Sequence, residues 1–140
     1  MIPLQHGIHI VTRTASEVAS RKRVAEAEGW RVYTLVPTIR TADDVFAAVG
    51  RSLPLNPPPP EQPSPARSWD AMSDSLFGGF DGLVTDRVLL HFPGLGEHTE
   101  AYAYRMTREV LADVSETLSS DDFTQGNPTE LCVWLGPPPE

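Results

Sequence analysis

The chain is short of cysteine, of basic charge and of long apolar runs, and each shortage removes a class of protein. Its single cysteine, Cys132, allows no disulfide framework. It sits inside Leu131-Cys132-Val133-Trp134-Leu135, where a thiol acts as a small buried hydrophobe. Eleven basic residues against nineteen acidic ones give a net charge of −8, which excludes binding driven by phosphate neutralisation, so no nucleic-acid partner is expected. No segment reaches the length of a membrane span. The opening Met-Ile-Pro-Leu-Gln-His-Gly lacks the basic and continuous apolar parts of a secretory signal, so a cytoplasmic, soluble protein with no membrane association is expected. What the composition does supply is 40% hydrophobic residues, enough for one core in 140 residues, and an excess of acid. An acidic surface favours fast, salt-sensitive capture of a basic protein, although solubility alone is the commoner reason for such charge.

Short apolar runs alternate with helical periodicity. Gly7 to Val11 reads as a strand, and Thr14-Ala-Ser-Glu17 is a capping-box pattern opening a helix through about Glu28, with Gly29 as its stop. Arg31 to Val36 is β-branched and aromatic, hence a second strand. Thr41 stands three residues before Asp44, a second capping box, and Val45, Phe46, Val49 and Leu53 then recur at helical spacing until Pro54. Residues 54–67 form a proline-rich surface loop, in which Pro54 to Pro65 favours polyproline II and excludes a helix or central strand. Ser68 is a good N-cap for a helix carrying Trp69, Met72 and Leu76, which Gly78-Gly79 should end. Arg87 to Phe92 is the continuous apolar run of a strand buried on both faces. Tyr102, Met106, Val110, Val114 and Leu118 mark a long amphipathic helix, and Leu131 to Leu135 a last strand. The order β-α-β-α-α-β-α-β predicts one α/β domain over residues 1–140, a small, mainly parallel sheet with helices packed on it.

Catalytic and metal patterns are thin. His91, Glu97, His98 and Glu100 cluster after the third strand, yet no His-Glu-x-x-His or paired cysteines accompany them, and His91 within an apolar strand reads as a hydrogen-bonded core residue. A metal-dependent hydrolase built on His91 and His98 is the reading this pattern leaves open; none is adopted, and no cofactor is expected. Gly94-Leu95-Gly96 lacks the further glycine and the lysine of a phosphate cradle. There is no Gly-x-Ser-x-Gly elbow, and Cys132 is mid-strand, so no catalytic residue is assigned.

The strongest signal is Ser68-Trp69-Asp70-Ala71-Met72-Ser73-Asp74-Ser75-Leu76, which sets Asp70 and Asp74 four apart on one helical face. Side chains at that spacing are neighbours, about 5–6 Å apart at Cβ. Two anions presented together imitate adjacent phosphates. Asp70 lies in the first turn, where the helix dipole accounts for it at about 0.3–1 kcal/mol. Asp74 lies beyond that turn and points to a partner.

These residues resemble the recognition helix of the barstar family, intracellular inhibitors of barnase-type ribonucleases: Trp69, Asp70, Ala71, Asp74 and Leu76 keep the family pattern. The likeness spans roughly residues 30 to 136, with Tyr33 to Leu53 similar to the family's first strand and helix, Val88 to Phe92 to its second strand, Met106 to Leu118 to its last helix and Leu131 to Leu135 to its closing strand. Residues 1–30 are then an N-terminal strand-helix addition. The resemblance implies a non-catalytic inhibitor, monomeric when free, that plugs a basic ribonuclease or ribonuclease toxin domain with Asp70 and Asp74 in place of substrate phosphates. It also implies contacts from Trp69 and Ser73, from Arg67 in the preceding loop, and from Glu116 as a third acidic contact. Ser73 stands where the best-known member has tryptophan, and Pro63-Ser64-Pro65-Ala66-Arg67 replaces the usual aromatic-glycine segment, so the interface must differ. The competing expectation is an interaction scaffold whose proline-rich loop, Pro57 to Pro60 above all, docks an SH3-like groove.

Overall fold

A computed structural model describes residues 2–56, 69–83 and 85–139. Its strands are β1 (Gly7–Ile10), β2 (Arg31–Thr34), β3 (Arg87–Phe92) and β4 (Glu130–Leu135), and its helices α1 (Ala15–Ala27), α2 (Ala42–Ser52), α3 (Trp69–Asp81), α4 (Ala101–Leu118) and α5 (Asp121–Thr124). The sheet is parallel throughout, in the order β1-β4-β3-β2. The expected α/β architecture is therefore present, and the N-terminal strand, whose place the sequence leaves open, is an edge of the main sheet on β4. Among the described residues no helix is long and apolar enough to cross a membrane.

β3 and β4 lie in the middle of the sheet, which is why their sequences are continuously apolar. Alternation sends Val88, Leu90, Phe92, Leu131, Val133 and Leu135 into a large core under α2, α3 and α4. It sends Leu89, Cys132 and Trp134 into a smaller cluster with Val18, Ala25, Trp30 and the N-terminal Ile2. That second face is covered by α1, whose only buried residues are Val18 and Ala25.

The Thr41 capping box forms on both sides: Asp44 N–H donates to Thr41 Oγ1 (3.2 Å), and Thr41 N–H donates to Asp44 Oδ2 (3.1 Å). At α1 only half of the expected box forms. Thr14 Oγ1 accepts from Glu17 N–H, while the Glu17 carboxylate turns to the Thr14 hydroxyl. Gly29, at φ +93°, takes the left-handed conformation that ends this helix.

Gly78 and Gly79 do not stop α3, which continues to Asp81. The stretch Pro54 to Asn56 runs over the helix at this point, and a Cβ on Gly78 or Gly79 would collide with the Asn56 or Pro54 carbonyl group. Asn56 N–H donates to Ser75 O (3.0 Å) in the same crossing. The two glycines serve close approach rather than termination, at a cost of about 1 kcal/mol each in helix propensity. The short α5, capped by Ser120, is an element the sequence pattern does not announce.

A candidate docking face at the head of the third helix

Each of α2, α3 and α4 precedes or follows a strand of a parallel sheet, so all three run against the strands and gather their N-termini at the strands' carboxyl end. The connections there are tied together. Thr99 Oγ1 donates to Ile39 O (2.7 Å), Glu100 N–H to Arg40 O (2.7 Å), Gly136 N–H to Leu95 O (2.9 Å) and Tyr104 Oη–H to Gly136 O (2.7 Å). Gly94 lies so close to Pro37 that a Cβ would fall 2.6 Å from its carbonyl carbon. That glycine belongs to loop packing and not to a phosphate site.

Trp69, the first residue of α3, is partly buried in the large core. Its ring lies 4.7 Å from that of Phe46 on α2 and 6.4 Å, edge-on, from that of Tyr102 on α4. The head of α3 is thereby fixed to both neighbouring helices. From this anchored end Asp70 and Asp74 are exposed, while Met72, Leu76 and Phe80 point into the core. Among the described residues neither carboxylate takes part in a hydrogen bond or an ion pair, and the one close contact there between a basic ring and a carboxylate is His98 with Glu97 at 3.6 Å, both strongly exposed. At 3.6 residues per turn, Asp81 falls on the same outer stripe. Ser73 is partly buried on the flank of this stripe.

Glu116 is exposed but stands apart. It follows Tyr102 by fourteen positions, roughly 21 Å along the helix, whereas Trp69 and Tyr102 meet at the opposite end. The exposed α4 carboxylate nearer that end is Glu109, about 10 Å beyond Tyr102. Arg67, Ser68 and the proline run from Pro57 to Pro65 lie outside the described residues.

Tyr102 departs from the amphipathic reading. The periodicity puts it on the core side of α4, yet it is 53% exposed, because the buried side is centred on Ala103, Thr107, Val110, Leu111 and Val114. The guanidinium of Arg105 lies over its ring, 5.5 Å from the centroid. The one cue in the sequence was that Tyr102 begins the helix, where the apolar stripe has no preceding turn to define it.

The histidines are not gathered. His98 is 88% exposed, while His91 lies on the α1 face of the sheet with its ring 5.8 Å from that of Trp134. Among the described residues no group of three or more His, Cys, Asp or Glu could hold a metal ion. His91 is not the hydrogen-bonded core histidine the sequence suggested: its Nδ1 is buried without a partner among the described residues. Burial, with the Lys22 charge added, pushes its pKa down to about 4. Cys132 is fully buried, its thiol donates to Pro3 O (3.4 Å), and burial pushes its pKa up to about 11, so no thiolate nucleophile is available.

Comparison with protein-family models, with curated proteins and with solved structures returns no match for this chain.

Proposed function

We propose that this protein is a non-catalytic inhibitor of a basic barnase-type ribonuclease or ribonuclease toxin domain, acting inside the cell that makes its target. The observation that carries this reading is the pair Asp70 and Asp74: two exposed carboxylates on one stripe, unpaired within the described chain, at the head of a helix held by Trp69 between Phe46 and Tyr102. A nuclease cleft that binds RNA phosphates is lined with cationic and hydrogen-bonding groups. Two rigidly spaced carboxylates meet that chemistry, and a preorganised helix loses little conformational freedom on binding. The net charge of −8 draws a cationic target from a distance, so association should slow as salt rises.

The test is titration of guanyl-specific ribonucleases and ribonuclease toxin domains with the purified chain, together with a pull-down from native cell extract. One-to-one loss of nuclease activity is expected, and Asp74→Ala should weaken it by about tenfold or more, well beyond the effect of a surface charge on stability. Inhibition unaltered by Asp74→Ala removes the assigned role of that residue. Absence of inhibition across the whole set removes the reading.

A further inference from the structure

The docking face just described has carboxylates, but its α3 positions offer no freely exposed aromatic: Ser73 is small, and Trp69 and Phe77 are partly buried against the large core. Interfaces draw most of their affinity from a few aromatic and arginine anchors near the centre of the contact. Among the described residues two aromatics are more than half exposed, Tyr102 (53%) and Phe123 (68%). Phe123 lies past the far end of α4, on α5. Tyr102 stands beside the head of α3, its ring nearly perpendicular to that of Trp69, the residue next to Asp70, at a centroid distance of 6.4 Å. The other notable neighbour is Arg105, whose guanidinium lies over the ring at cation–π distance. Arg105, with exposed Arg108 three positions on, is also a positive charge beside the exposed carboxylates Asp70, Asp74 and Glu109, and among the described residues none of these carboxylates pairs with it.

We propose that Tyr102 is the aromatic anchor of this face, that its ring receives a cationic side chain of the basic partner, and that Arg105 is the stand-in which the partner's cation displaces. The proposal rests on the inhibitor reading and adds the second binding element. Asp70 and Asp74 supply charge, which governs encounter; Tyr102 supplies a flat π face beside them, which governs how long the complex lasts. The partner residue is an arginine or lysine at the rim of the nuclease cleft, because it must reach the ring while neighbouring cations meet the two carboxylates.

The experiment uses the full chain and a catalytically inactivated guanyl-specific ribonuclease of the barnase type, with association and dissociation followed separately. Tyr102→Phe keeps a π face and should bind within about threefold of the parent chain. Tyr102→Leu keeps apolar bulk without a π face and should bind about tenfold more weakly, mainly through faster dissociation. Arg105→Ala should associate faster and bind more tightly, since it clears the ring and removes a repulsive charge. Leucine behaving like phenylalanine overturns the cation–π role; neither substitution changing the dissociation rate overturns the anchor; weaker binding by Arg105→Ala overturns the stand-in role. Melting temperatures of all three variants separate these outcomes from loss of folding. If the parent chain binds none of the ribonucleases and toxin domains titrated above, the inhibitor reading fails; if it binds one and the Tyr102 variants match it there, only the anchor fails.

Discussion

One side of the sheet is packed by three helices that bury Val45, Val49, Leu76, Phe80, Val110, Leu111, Val114 and Leu118; the other is covered by a single helix burying Val18 and Ala25. Both sides are fed by the same two central strands, so the difference lies in the helices. It teaches where this protein keeps its rigidity. The helices that present Asp70 and Asp74 rest on the large core. The α1 face carries the compromises instead: His91 with an unpartnered buried nitrogen, and Lys22, whose amine donates to Thr34 Oγ1 (2.8 Å) and is lowered in pKa by burial against the opposing pull of Glu26.

The sharpest way to break this contrast is to truncate one side chain on each face. Phe80 is fully buried, and Phe80→Ala should cost about 3–5 kcal/mol in denaturant unfolding. Val18→Ala, under α1, should cost about 1–2 kcal/mol. Equal costs would show that the two clusters stabilise the chain alike.

A smaller effect is expected at Gly79. Alanine is ordinarily the better helix former by about 1 kcal/mol, but here its methyl group meets the Pro54 carbonyl. Gly79→Ala should therefore destabilise by about 1–3 kcal/mol. A rise in melting temperature would mean that the Pro54–Asn56 crossing yields freely.

The remaining effect is on the α1 face and depends on pH. In the folded chain His91 prefers its neutral form, so the unfolded chain takes up the proton first. Stability should fall as pH drops from about 6.5, the usual histidine value, toward about 4, and the loss should level off below that. Asp44, held below the ordinary carboxylate range by the N–H groups of Arg40 and Thr41, loses its contribution only at lower pH still. His91→Leu should remove the upper step in acid melts and leave the lower one. An unchanged profile would show that His91 does not titrate with folding.

Much of this architecture was legible because local signals agreed with the tertiary result. The Thr41 to Asp44 box, the uninterrupted apolar β3 and β4 and the alternation of strand with helix all describe what these segments do in the fold. The misreadings occur where a distant segment decides. Gly78-Gly79 carries the mark of a helix stop, yet its reason is chain some twenty residues earlier in sequence. Tyr102 matches a helical period by residue type and falls on the exposed side by geometry. Glu116 lies on the acidic side of α4, but its height relative to Asp70 and Asp74 depends on how α3 and α4 are set against each other, which no spacing within either helix reveals. The twin aspartates were legible as neighbours; the aromatic beside them was not, because it lies on another helix.

The sealed position of Cys132 has a practical corollary. With its sulfur fully covered and the thiolate disfavoured, Cys132 in the native chain should react only slowly with alkylating reagents. A cysteine placed at Ser73 can then carry a fluorophore alone, without first removing the natural one. Slow labelling of Cys132 itself becomes a clock for how often the N-terminal segment and α1 lift from the sheet, a built-in gauge of breathing on one side of the molecule.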